Sequence, residues 1–218
     1  AFKDYYRKVD SFLGAIWGRL RGETMFIMSD HGFTGITKQV YLNQWLAGNG
    51  YLKLKENARS IEDIADGSSV FALDPGRIYI NIKGKYPAGT VDRRDAPTLI
   101  EEIKGGLSQI SDDGKRVVAH IYDRDSIFSG SCVDFAPDLC VQGVYGYDMK
   151  GAVNKTGLMD REIFTGMHTQ DDATFYINEP GDSLTAARPN IIDVAPSVLD
   201  CLGIETAAGM DGRSIIKH

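Results

Sequence analysis

Short apolar runs and helical stripes take turns along this sequence, and that alternation restricts the fold more than any other feature. "TMFIMS", "RVVAHIY", "DLCVQGV" and "ATFYIN" are each the length of a short, largely buried strand. Arg77 to Ile82 alternates instead, placing Ile78, Ile80 and Ile82 on one face. Between these runs, "VYLNQWLAGNGYLKL" spaces Leu42, Trp45 and Leu46 helically until "GNG" stops it. "APTLIEEIKGGLSQI" does the same with Leu99, Ile100, Ile103, Leu107 and Ile110. Strands alternating with helices predict an α/β fold whose mostly parallel sheet is flanked by helices on both faces. With no internal repeat and no long linker, residues 1–218 are read as a single α/β domain. Within it, the turn-rich region of about 55–130 is read as a smaller inserted or cap-like part.

Both ends of the chain carry helical patterns. Phe2, Tyr5, Tyr6, Val9, Phe12, Leu13, Ile16, Trp17 and Leu20 trace a broad apolar face, expected to be buried. That stripe is in phase from the first turn, without an N-cap residue or an initiating Met, so the chain is read as a portion of something longer. In "IIDVAPSVLDCLGI", Val194, Ala195, Val198, Leu199 and Leu202 form a second stripe. Pro196 is tolerated only in a first turn, which sets the helix start near Asp193, and Gly203 ends it.

Charge and composition exclude several function classes. A net charge of −6 and a pI near 5.2 suit neither a nucleic-acid polymer nor an anionic membrane as partner. No apolar run approaches the about 20 residues that cross a bilayer. Cys132, Cys140 and Cys201 form no CxxC pair and are read as buried thiols in a reducing setting, with the cytoplasm favoured.

Two of the four histidines stand in polar, glycine-flanked turns: His31 in "SDHG" and His168 in "TGMHTQDD". His120 lies inside an apolar strand, where a structural histidine is expected, and His218 ends the chain. Asp30 and His31 directly follow the "TMFIMS" strand, and α/β sheets bind ligands beyond strand carboxyl ends. An Asp-His pair offers one hard oxygen and one borderline nitrogen, a set suited to Zn2+ or Mn2+. The same dipeptide equally serves as a turn aspartate followed by a solvated histidine. "QDD" (Gln170 to Asp172) reads as a solvated loop before a support for the histidine, and "KGK" (Lys83 to Lys85) as a surface charge pair.

Taken in order, "FIMSDHGFTG", "YLNQWLAGNGYL", "GRIYINIKGKYPAGTV", "APDLCVQGVYGYD", "TGMHTQDDATFYI", "IIDVAPSVLDCLGI" and "MDGRSI" resemble the alkaline phosphatase superfamily, in its type I phosphodiesterase/nucleotide pyrophosphatase group. The resemblance covers nearly all of the chain and corresponds to the C-terminal portion of that fold. It implies hydrolysis of phosphodiester or pyrophosphate bonds in small nucleotide-like substrates, with two divalent metal ions, Zn2+ before Mn2+. It assigns Asp30 and His31 to one ion and His168 to the other. The early aspartate, the Asp-x-x-x-His pair and the Thr or Ser nucleophile have no counterpart in this chain and are expected upstream of Ala1. Ser29 and Thr34 do not match the nucleophile; they are read as a strand-end and a turn residue. On this reading the chain alone is inactive. A phosphomonoesterase or phosphomutase of the same superfamily, or a non-catalytic α/β interaction module, are the alternatives. Oligomeric state is not readable.

Overall fold

The computed structural model describes residues 2–179, 184–185 and 188–217. Its helices are α1 (Phe2–Trp17), α2 (Leu42–Gly48), α3 (Ala96–Ser108), the single turn α4 (Arg124–Ile127) and α5 (Val194–Cys201). Its strands are β1 (Phe26–Met28), β2 (Gly32–Gly35), β3 (Lys38–Tyr41), β4 (Val70–Leu73), β5 (Arg77–Ile80), β6 (Ser111–Asp112) and β7 (Lys115–Arg116). They continue with β8 (Val118–Asp123), β9 (Leu139–Gly143), β10 (Tyr147–Lys150), β11 (Met159–Asp160), β12 (Gly166–Thr169) and β13 (Phe175–Ile177). The chain divides into two compact units: Phe33–Thr169, and Ala1–Gly32 together with Gln170–His218.

The α/β mixture is as expected, but the sheet is not. Several small sheets replace one large one, the widest having four strands in the order β4-β5-β9-β8. β3 and β10 run parallel, whereas β4–β5, β5–β9, β8–β9, β3–β11, β6–β7 and β1–β13 run antiparallel. The prediction of a mostly parallel sheet is therefore wrong. Apolar periodicity reports how deeply a strand is buried, not which way its neighbour runs. Parallel neighbours need a crossover of a dozen or more residues. β4 and β5 are joined by only Asp74, Pro75 and Gly76, with Gly76 at a φ of +67°. A Cβ there would sit 2.2 Å from the Val141 carbonyl oxygen, so only glycine turns so close to β9.

The core of the Phe33–Thr169 unit follows from the sequence stripes. Ile78, Ile80, Ile103 and Leu107 are fully buried, and Ile82 nearly so. Each such side chain contributes about 1.5–3 kcal/mol relative to exposure. Gly106, unfavourable inside a helix by about 1 kcal/mol, is explained by its neighbour: a Cβ would lie 2.6 Å from the Trp45 ring. The buried Asn43 amide ties α2 to β4, donating to the Ala72 carbonyl at 2.9 Å and accepting from the Ala72 N–H at 2.8 Å. It also donates to the Gly151 carbonyl at 2.6 Å. Every polar atom of that side chain is thus matched, which is what makes its burial tolerable.

The other unit is built differently. α1 forms as expected, but none of its residues is buried, and Phe2, Tyr5 and Phe12 are each more than 60% exposed. The expected buried face is thus corrected: Leu13 and Ile16 are half-buried, and Trp17 meets the Tyr176 ring at 6.3 Å. β1 pairs with β13 in the register Phe26–Ile177, Ile27–Tyr176 and Met28–Phe175. α5 starts after Asp193 and ends before Gly203, whose φ is +67°. Its buried residues are Pro196 and Ser197, not the apolar stripe; Leu202 is 66% exposed. The reason lies later in the chain. Residues 213–215 are strapped across this helix: Asp193 accepts the Arg213 N–H at 3.1 Å, and Ser197 Oγ accepts the Ile215 N–H at 3.0 Å. Ile215, 1% exposed, is buried with them. The "MDGRSI" stretch has a structural job.

Candidate metal-ligand site

β1 ends at Met28, and Ser29 closes it in both directions. Its N–H donates to the Thr174 carbonyl at 2.9 Å, while its Oγ accepts the Thr174 N–H at 2.8 Å. This hydroxyl is occupied in holding the strand end, as the sequence suggested. Asp30 and His31 follow as a two-residue bend before β2. Thr34, expected in a turn, lies within β2.

The His31 ring is oriented by the backbone. Its Nδ1 lies 2.8 Å from the Gly32 carbonyl oxygen, which can only accept, so Nδ1 carries the proton. Nε2 stands on the side of the Asp30 carboxylate, 3.4 Å from Oδ1. The Asp30 side chain is 77% exposed and that of His31 35% exposed, so the pair opens to solvent. With Nδ1 turned to the carbonyl, Nε2 is the ring nitrogen on the side of the Asp30 carboxylate, so an imidazole nitrogen and a carboxylate oxygen stand together as candidate donors to a cation. Zinc bonds of about 2.0–2.2 Å to nitrogen and oxygen in tetrahedral array separate adjacent ligand atoms by about 3.4 Å. The observed spacing fits. The carbonyl on Nδ1 is also the kind of partner that fixes a ligating imidazole.

His168 lies in β12, in the other unit, and is exposed. Its ring lies 6.0 Å from the Phe33 ring. Gly166 packs under the same phenylalanine: a Cβ there would come 2.2 Å from the exposed Phe33 ring, which would have to shift. The structure sets Asp30 and His31 side by side and places His168 on β12. Among the described residues no group of three or more His, Cys, Asp or Glu side chains forms a metal site. Gln170 to Asp172 form an exposed loop, with Asp172 at a φ of +63°. His120 sits in β8 as expected, exposed and 5.7 Å from the Tyr122 ring. His218 lies outside the described residues. The cysteines are free but not buried: Cys132 and Cys201 are exposed, because both sit in surface segments, and Cys140 is half-buried. The sequence reading missed the Gly32 carbonyl and the Phe33 ring. The first carries no side-chain signal at all.

The Asp30-His31 pair thus lies open to solvent at the end of β1, within a mixed α/β fold. Residues 1–171 match the type I phosphodiesterase / nucleotide pyrophosphatase family, and the chain belongs to it. The matched residues include Asp30, His31 and His168, and stop short of β13 and α5. No curated protein matches the chain. Among the described residues no helix is long and apolar enough to cross a membrane.

Proposed function

We propose that this chain contributes metal-ligand residues to a hydrolase that cleaves phosphodiester or pyrophosphate bonds in small nucleotide-like substrates. The observation that carries the reading is the 3.4 Å approach of His31 Nε2 to Asp30 Oδ1, with Nδ1 hydrogen-bonded to the Gly32 carbonyl. Asp30 supplies charge and His31 a neutral nitrogen to one divalent ion, while His168 is assigned to a second ion. Zinc is favoured by the mixed oxygen and nitrogen donors, with manganese as the substitute. Such a pair of ions, when bound, lowers the pKa of an oxygen nucleophile and offsets charge on the leaving oxygen. The Gly32 carbonyl keeps the imidazole in one tautomer and one rotation. Ser29 and Thr34 take no part as nucleophile, since one is engaged at the strand end and the other lies in β2. The nucleophilic Thr or Ser, on which a phosphoenzyme forms, and the remaining ligands are assigned to polypeptide outside these 218 residues. It follows that this chain by itself holds metal weakly and turns over no substrate.

The test uses a polypeptide containing this chain together with the Asp-x-x-x-His motif, a nitrophenyl phosphodiester and added Zn2+ or Mn2+. Turnover is expected, and Asp30→Ala or His31→Ala should each lower it by more than about a hundredfold. Turnover of a monoester alone would move the assignment to a phosphatase. Inertness toward both, with both metals, would favour the non-catalytic module.

A further inference from the structure

A second candidate site lies entirely within the Phe33–Thr169 unit and shares no residue with Asp30, His31 or His168. It is a cavity of about 610 Å3, within the size range of small-molecule sites. Four aromatic residues, Phe71, Tyr79, Tyr86 and Phe135, share its apolar wall with aliphatic side chains. Phe71 and Tyr79 stack with centroids 5.3 Å apart and planes within 12°, and Tyr86 meets Phe71 edge-on at 5.6 Å. Phe135, 80% exposed, also lines it.

Three cations line the same space, Lys85, Arg93 and Arg124, against two carboxylates, Asp134 and Asp138. This local excess is positive on a chain whose net charge is −6. Asp138 is already engaged: it pairs with the Arg124 guanidinium and accepts the Ile80 N–H at 2.8 Å. Lys85 and Arg93 are not. Among the described residues no carboxylate lies within ion-pair distance of either, and the Lys85 ammonium rests 5.3 Å from the Tyr86 ring centroid. The "KGK" motif is thereby divided. Lys83 forms a surface pair with Asp92 at 2.8 Å, whereas Lys85 turns to the cavity. Burial, with the Arg124 guanidinium nearby, holds the Lys85 amine below its ordinary range. Lys85, partly buried beside the Tyr86 ring, gains most from an anion that reaches it, and Arg93, exposed to solvent, adds a second positive charge. A flat ring is what stacked aromatic side chains accept.

We propose that this cavity binds a small planar aromatic anion, its ring against Phe71, Tyr79 and Tyr86 and its charge between Lys85 and Arg93. Carboxylate and phosphate esters share that chemistry. The 218-residue chain is titrated in EDTA with 1-naphthoate and, separately, with AMP, followed by amide NMR and calorimetry. At least one probe should bind with a Kd of about 1 mM or tighter, shifting amides around Tyr79, Tyr86 and Arg93. Binding of 1-naphthoate alone would name a carboxylate ligand, and of AMP alone a phosphate ester. Neutral 1-naphthamide and ring-free ribose 5-phosphate should bind at least about fivefold more weakly. The Lys85→Gln/Arg93→Gln double variant, which removes the two unpaired charges, should lose about tenfold in affinity. Tyr79→Leu, which keeps the bulk but not the ring, should lose about fivefold. The proposal is overturned if neither probe binds, if the neutral analogue binds as well as the anion, if the shifts map elsewhere, or if the double variant binds like the parent. Because EDTA removes metal, these outcomes are independent of the hydrolase reading.

Discussion

The two units use their apolar residues in opposite ways. In Phe33–Thr169, Val40, Leu46, Ile78, Ile103 and Leu139 are all sealed from water in one continuous core. In the other unit, α1 carries eight large apolar side chains yet buries none, and only Ile177 and Ile215 are buried hydrophobics there among the described residues. The difference teaches that an amphipathic pattern guarantees a helix face, not a partner for it. It also separates the candidate residues: Asp30 and His31 lie in the thinly packed unit, His168 in the well-packed one.

The contrast is open to attack by experiment, and the largest effect is dynamic. Amides of β5 and α3 should exchange with solvent more than about a thousandfold more slowly than those of α1, because core opening costs most of the global stability while an exposed helix frays. Comparable protection in α1 would show its face to be covered. Next come cavities: Leu107→Ala should cost about 2–5 kcal/mol in chemical denaturation. Phe12→Ala in α1 should stay within about 0.5 kcal/mol. An equal cost for both would erase the distinction between the units.

Steric tests are of intermediate size. Gly212→Ala places a Cβ 2.0 Å from the Ile192 carbonyl oxygen, a backbone atom that cannot move aside. It should destabilise by about 1–3 kcal/mol and free the strap over α5. Gly166→Ala meets only the exposed Phe33 ring, so it should cost less while disturbing the surroundings of His168. A larger loss for Gly166→Ala would reverse that ranking.

The smallest expected effect is on pH. Asp112 accepts from Lys38 at 2.6 Å and from the Tyr147 hydroxyl at 3.1 Å. The Lys38 ammonium first, and the Tyr147 hydroxyl after it, hold the Asp112 carboxyl below the usual range, while Asp112 holds Lys38 above its own. A lowered carboxyl pKa contributes stability above its unfolded value of about 3.9 and loses it as pH falls through the lower folded value. Lys38 contributes below its unfolded value and loses this as pH rises through the higher folded one. Asp112→Asn should therefore flatten the acid limb of the stability profile, leaving the midrange lower throughout. An unchanged acid limb would refute the coupling.

Much of this was legible in the residues, for identifiable reasons. Ile78 and Ile80 alternate because one face of β5 is sealed, Ile82 is buried just beyond its end, and α3 announces itself through Ile103 and Leu107. Strand direction was not legible, since β4 and β5 read alike whichever way they pair. The α5 stripe misled because Ser197 and Ile215, 18 positions apart, meet by a hydrogen bond that no local pattern encodes. At the candidate site, Asp30 and His31 were visible as a dipeptide at a strand end. What orients them was not, because the Gly32 carbonyl belongs to the backbone. The cavity cations escaped for a similar reason: Lys85 and Lys83 look equivalent until Asp92 claims one of them.

The most direct test of the account is a Zn2+ titration of the 218-residue chain watched through the imidazole nitrogens by 15N NMR. The His31 Nε2 signal should move on metal addition while Nδ1 keeps its proton, with a Kd weaker than about 1 μM. Tight stoichiometric zinc would contradict the incomplete ligand set, and an unmoved His31 Nε2 would contradict the pair itself.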